Sequence, residues 1–130
     1  MGIKDFFSNR AETQEIHRDE RLQTRYYKAN LKKSLDAVDD LLKADARINV
    51  LSYSEDHGEI TAEFLKPKKA FIVVSCITVF PFRTAVDFTV TTKTTFLPFD
   101  AGFSKREVIH FYEKLDQRLT FAGTGLSEKK

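Results

Sequence analysis

The chain has a single cysteine, Cys76, and no tryptophan. One cysteine excludes an internal disulfide and suits a reducing compartment. Long apolar runs are missing too. The longest, residues 70–82, is interrupted by Pro81, and a spanning helix needs roughly 20 apolar residues. The first residues, Met1-Gly2-Ile3-Lys4-Asp5-Phe6-Phe7, lack the apolar core and cleavage site of a secretory signal. A cytoplasmic protein is the expectation. Charge of one sign is not in excess either. A net charge of +2 over 130 residues argues neither for nor against nucleic acid.

What is present is an ordinary globular composition, 42% hydrophobic and 31% charged, in a chain the length of one domain. Charge alternates in blocks. Residues 1–35 carry net +3, residues 36–65 net −6 and residues 66–130 net +5, so the surface is expected to be polarised. Twelve phenylalanines point to a core built largely of aromatic rings.

Residues 1–20 are charged and weakly periodic, which reads as a frayed helix or loose arm. Ile3, Phe6 and Phe7 are its strong apolar group. Residues 22–28 read as a short strand, with helix as the competing assignment. Asn30 is placed to cap a helix over residues 31–44, where Leu31, Leu35, Val38 and Leu42 form one apolar stripe. Four strand-like runs follow, over residues 47–53, 59–65, 70–80 and 84–96. Their turns are at 54–58, 66–69 and 80–83. The third run is apolar on both faces, as in a central strand covered on both sides. Ser104-Lys105-Arg106-Glu107 matches a capping box. It opens a helix bearing Val108, Phe111, Tyr112, Leu115 and Leu119, which Gly123 and Gly125 are expected to end.

The expected fold is therefore α+β: a four-stranded antiparallel meander, with room for an extra N-terminal strand, and two helices packed on one face. The expected divisions are an arm over 1–20, a single domain over 21–123 and a disordered tail over 124–130. A meander reverses at every turn. Turns 54–58 and 80–83 thus share one end of the sheet, here called upper, and turn 66–69 and the start of the second helix share the lower end.

Chemical motifs are sparse. His17, His57 and His110 have no ligand spacing, so no metal site is expected. His110 falls opposite the second helix's apolar stripe and should be solvated. Cys76, mid-strand, reads as a buried and inert thiol. The acidic turn Glu55-Asp56-His57 with Glu59 reads as a solvated hairpin tip. Lys66, Lys68, Lys69, Lys105 and Arg106 gather at the lower end beside a helix N-terminus, a candidate anion site weighed against a plain basic turn. No aromatic stacking motif is present, and nucleic acid is not expected. Phe80 and Phe82 occupy a hairpin tip where polar residues are usual. They are either covered by the first helix and the arm or exposed for a partner. With Ile3, Phe6 and Phe7 they form the candidate partner surface, and residues 1–8 offer a peripheral contact with a membrane.

Residues Leu22-Gln23-Thr24-Arg25-Tyr26-Tyr27 leading into a helix, then Gly58-Glu59-Ile60-Thr61-Ala62-Glu63 and Val86-Asp87-Phe88-Thr89-Val90, resemble small bacterial proteins of uncharacterised families. In those, a strand and helix precede a meander and a closing helix. The pattern, over residues 22–122, also resembles helix-grip domains such as those of outer-membrane assembly lipoproteins. The resemblance implies a binding or assembly module and supplies no catalytic residues or cofactor. The leading expectation is a non-enzymatic binding or protein-interaction domain. The second is a carrier that holds an apolar or anionic small ligand between the sheet and the C-terminal helix. An enzyme ranks third, since no nucleophile with a partner and no acid–base pair is visible.

Overall fold

The computed structural model describes residues 10–17, 19–92 and 102–124. Ile3, Phe6 and Phe7, the strand end expected beyond Thr92 and the tail beyond Thr124 lie outside them. The chain runs β1 (Arg10–Glu12), a 3-10 turn (Glu20–Leu22), β2 (Arg25–Tyr27), α1 (Leu31–Lys43), β3 (Ile48–Ser54), β4 (Glu59–Phe64), β5 (Ala70–Phe80), β6 (Arg83–Thr92), α2 (Phe103–Asp116) and β7 (Phe121–Thr124).

The four-stranded expectation is corrected. The sheet has seven strands in the order β3-β4-β5-β6-β2-β7, with β1 also paired to β6. The meander itself, β3 to β6, is there with antiparallel register throughout. The three added strands have three or four residues each. β2 lies within the run 22–28 read as a short strand; β1 and β7 are too short for period-two alternation to stand out from chance. The stretch expected as a loose arm thus contains a strand, and Gly123, expected to help end the second helix, lies in β7 instead, the helix having ended at Asp116.

β6 is the organising strand. One side pairs with β5. The other side pairs with β2 over Thr84–Val86 and with β1 over Thr89–Thr91. Between these two short partners Thr13 completes the edge. Its N–H donates to Phe88 O at 3.0 Å, and its hydroxyl oxygen accepts from Phe88 N–H at 2.9 Å. Without such bonds Phe88 would leave buried backbone groups unsatisfied.

Both helices lie on one face. Asn30 caps α1 as expected, its side chain accepting from Lys33 N–H at 2.8 Å. α2 is capped differently. Gly102, at φ 84°, is its N-cap and no side chain caps it. Ser104 sits inside the first turn and is buried, so the expected capping box does not form. Glu107 turns instead to Arg47.

The helices run in opposite directions. At the upper end Tyr27, just before α1, donates its hydroxyl to Asp116 at the end of α2 at 2.7 Å. At the lower end Arg47, just after α1, reaches Glu107 near the start of α2. Beneath them the core is a bank of rings. Phe111 stacks on Phe64 (5.9 Å between centroids) and on Phe88 (5.3 Å), and Tyr112 meets Phe88 edge-on at 5.0 Å. Each fully buried phenylalanine contributes roughly 1.5–3 kcal/mol.

The expectation that β5 is covered on both sides is also corrected. Ala70, Ile72, Val74 and Cys76 are buried under the helices, but Phe71 and Ile77 on the other face are exposed. β5 is apolar on both faces, yet both helices cover the same one. None of the helices among the described residues is long and apolar enough to cross a membrane.

Candidate functional site

The β5–β6 hairpin overhangs the rest of the meander. The register of β4 with β5 ends at Glu59 opposite Ser75, followed by one more backbone bond, Cys76 N–H to Gly58 O at 2.7 Å. Residues 77–80 therefore have no β4 residue beside them and are held by β6 alone. The overhang is anchored from beneath. Thr84 donates its hydroxyl proton to Ala29 O at 2.7 Å, so Thr78 must be the donor in the 2.9 Å contact between the two threonine hydroxyls.

Above this anchor, apolar side chains face solvent. Ile77 is 61% exposed, Phe80 56% and Phe82 67%. Of the two readings open for Phe80 and Phe82, exposure is the observed one. Phe82 has φ 59°, the left-handed region, directly after Pro81. Proline at the second turn position with positive φ at the third is the type II pattern, which normally takes glycine or asparagine. A bulky aromatic there is strained. Two rules of turn chemistry are broken at one position, polarity and backbone preference, and such breaks cluster at functional sites. The acidic turn, with Glu55 and Asp56 exposed, lies at the same end.

The lower end is different. Lys66, Lys68 and Lys69 are exposed as expected, and so is Arg106. Lys105 is not part of that surface. It is buried, 3% exposed, and its ammonium lies 2.5 Å from Asp19 Oδ2. Hydrogen bonds from Arg21 and then Lys105 hold the Asp19 carboxyl well below the usual carboxylate range. The five-residue basic cluster expected from sequence thus loses its central member to an internal ion pair. Arg47 is likewise committed, donating to Asp45 at 2.7 and 3.0 Å and to Glu107 at 3.0 Å, with its guanidinium over the Phe64 ring.

A cleft that sequence reasoning did not anticipate lies along the seam of the helices. It is lined by Leu41, Ala44, Asp45 and Ala46 from the end of α1, and by His110, Phe111, Lys114 and Arg118 from α2 and the residues just after it. His110, expected to be solvated, is half-buried against this cleft. Part of the signal was in the spacing: His110 and Lys114, four residues apart, share one helix face, and Arg118 follows just beyond the helix end.

Other titratable groups are structural. Burial, and next the Asp87 charge, push the Cys76 thiol up to about 12, which makes it unreactive. Burial likewise raises the Asp87 carboxyl, against hydrogen bonds from Thr13 at 2.6 Å and Thr24 at 2.5 Å. Among the described residues no group of three or more His, Cys, Asp or Glu side chains is arranged to hold a metal. Comparison with protein-family models, with curated proteins and with solved structures finds no match, and hence no enzyme family.

Proposed function

We propose that this protein is a non-catalytic interaction module that engages a partner protein through the apolar end of its β5–β6 hairpin. The observation that carries the reading is the exposure of Ile77, Phe80 and Phe82 together on an overhang, with Phe82 in a backbone conformation that disfavours it. Clustered exposed apolar side chains are a contact surface more often than an accident. Aromatic residues are enriched at the centres of such contacts. A protein partner is favoured over a lipid surface because the exposed Glu55 and Asp56 at the same end would repel anionic headgroups. The unpaired thiol of Cys76 supports a cytoplasmic setting.

The alternative, a ligand held between the sheet and α2, has less support. That space holds the stacked rings of Phe64, Phe111 and Phe88.

The test compares the native chain with Phe80→Ser/Phe82→Gly. The double variant should melt no lower than the native chain and lose specific partners that the native chain captures from its own cell extract. Capture of the same set by both proteins rejects the reading. Loss of self-association by sedimentation would identify the partner as a second copy, and loss of vesicle binding would reassign the surface to lipid.

A further inference from the structure

We infer that the seam between the two helices binds a small organic anion, a carboxylate or phosphate ester carried on a compact apolar body. The hairpin end and this cleft are separate, and neither assignment depends on the other.

The cleft has a volume of about 370 Å³. Small-molecule sites run from about 300 to 1,000 Å³, so this one fits a compact ligand and not a folded partner. Its two walls differ in chemistry. Leu41, Ala44 and Ala46 form an apolar wall, with Phe111 at the base. His110 and Lys114 from one face of α2, with Arg118 just beyond its end, form the other.

The sign of the ligand follows from which charges are already answered. Asp45 is the one carboxylate in the lining, and Arg47 holds it through two bonds of 2.7 and 3.0 Å. That pairing keeps the Asp45 carboxyl below its usual range. Lys114 and Arg118 have no ion pair among the described residues. The cations of the cleft are thus uncommitted while its anion is taken.

A simpler account is that basic residues near the end of a helix answer its dipole. It explains Lys114 and Arg118 as a pair. It leaves unexplained why they line, with His110, a cleft whose far wall is apolar apart from Asp45, which Arg47 holds. An anion with an apolar body satisfies both walls: guanidinium and ammonium take its oxygens by charge-assisted bonds, and Leu41, Ala44 and Phe111 take the rest.

Two-dimensional amide NMR of the labelled chain tests this with phenyl phosphate and benzoate as probes. Inorganic phosphate supplies the charge without the body, and benzyl alcohol the body without the charge. Saturable shifts are expected at Ala44, Ala46, His110 and Lys114 with phenyl phosphate or benzoate, and roughly tenfold weaker binding of the two controls. Lys114→Glu/Arg118→Glu alters two exposed side chains and should weaken binding by roughly tenfold or more while the rest of the spectrum is unchanged. Ala44→Phe, which fills the cleft without touching its charge, should also block it. No saturable shift up to about 10 mM probe, a range that reaches well past weak millimolar affinity, overturns the assignment. So do shifts confined to residues 66–69, or equal binding by the native chain and both variants. Inorganic phosphate binding as tightly as phenyl phosphate would overturn the apolar half of the ligand.

Discussion

At the lower end of the sheet two cations, Lys105 and Arg47, turn inward and pair while their neighbours stay exposed; at the upper end the conspicuous apolar groups turn outward. Lys105 and Arg47 illustrate the first: Lys105 meets Asp19 and Arg47 meets Glu107, each a carboxylate from a distant part of the chain. Ile77, Phe80 and Phe82 illustrate the second. The difference shows that residue type alone does not mark a surface. A basic cluster in sequence became partly a structural clamp, and an apolar turn became the exposed feature.

The largest effect expected from breaking this contrast is at Asp19. Lys105 is buried and Asp19 half-buried, so losing this carboxylate weakens what answers a buried charge, at a cost of about 3 kcal/mol. Asp19→Ala should therefore shift the urea midpoint strongly, and adding Lys105→Met should restore most of the loss. A cost near zero for Asp19→Ala would return Lys105 to the surface and weaken the contrast at its lower end.

At the base of the overhang Gly58 has φ 64°, and a Cβ there would lie 2.4 Å from the Cys76 carbonyl oxygen. Backbone strain and displaced backbone together predict that Gly58→Ala costs about 3 kcal/mol. Thermal melts that match the native chain would mean that the hairpin can move away from β4 freely, and the overhang would not be a rigid platform.

Titration separates the clamp from the sheet. The Asp19 and Asp45 carboxyls are lowered, chiefly by hydrogen bonds from Arg21 and Arg47 respectively. Their folded pKa lies below the unfolded value of about 4, so their stabilisation is complete above it and is lost as pH falls through the folded values. Asp87 is raised by burial, so the folded state holds its proton more tightly. Its contribution has the opposite sign: present at low pH, lost as pH rises through the folded pKa. Asp87→Asn keeps an acceptor for Thr13 and Thr24. It should change stability by less than about 1 kcal/mol at neutral pH. As pH falls from about 7 to about 4 the native chain should gain stability relative to the variant, because only the native chain takes up the Asp87 proton more tightly when folded. Parallel pH profiles in urea melts would count against a raised Asp87.

The smallest effect is the most diagnostic for the upper end. Phe82→Gly relieves a left-handed backbone at an exposed position and should stabilise the domain by about 0.5–1 kcal/mol. A destabilised variant would mean that the Phe82 ring packs on its own chain, and the partner surface would shrink to Ile77 and Phe80.

The sequence by itself determined the parts whose signal is local and repeated. Asn30 and the stripe of Leu35, Val38 and Leu42 defined α1, since a cap and an apolar face lie within a few turns of chain. The meander was legible because β4, β5 and β6 are long enough to show alternation and their turns carry proline, glycine or acidic residues. Tertiary structure alone decided what depends on contacts between distant residues. Arg10–Glu12 and Phe121–Thr124 hold strand geometry because β6 or β2 pairs with them, not because of their own pattern, whereas Arg25–Tyr27 lies in the run already read as a short strand. Glu107 was placed by Arg47 rather than by the cap that its spacing to Ser104 suggested. The cleft exists because two helices run in opposite directions over one face, bringing His110, Lys114 and Arg118 beside Leu41 and Ala44. Periodicity can put residues on one face of an element; only packing decides what that face meets.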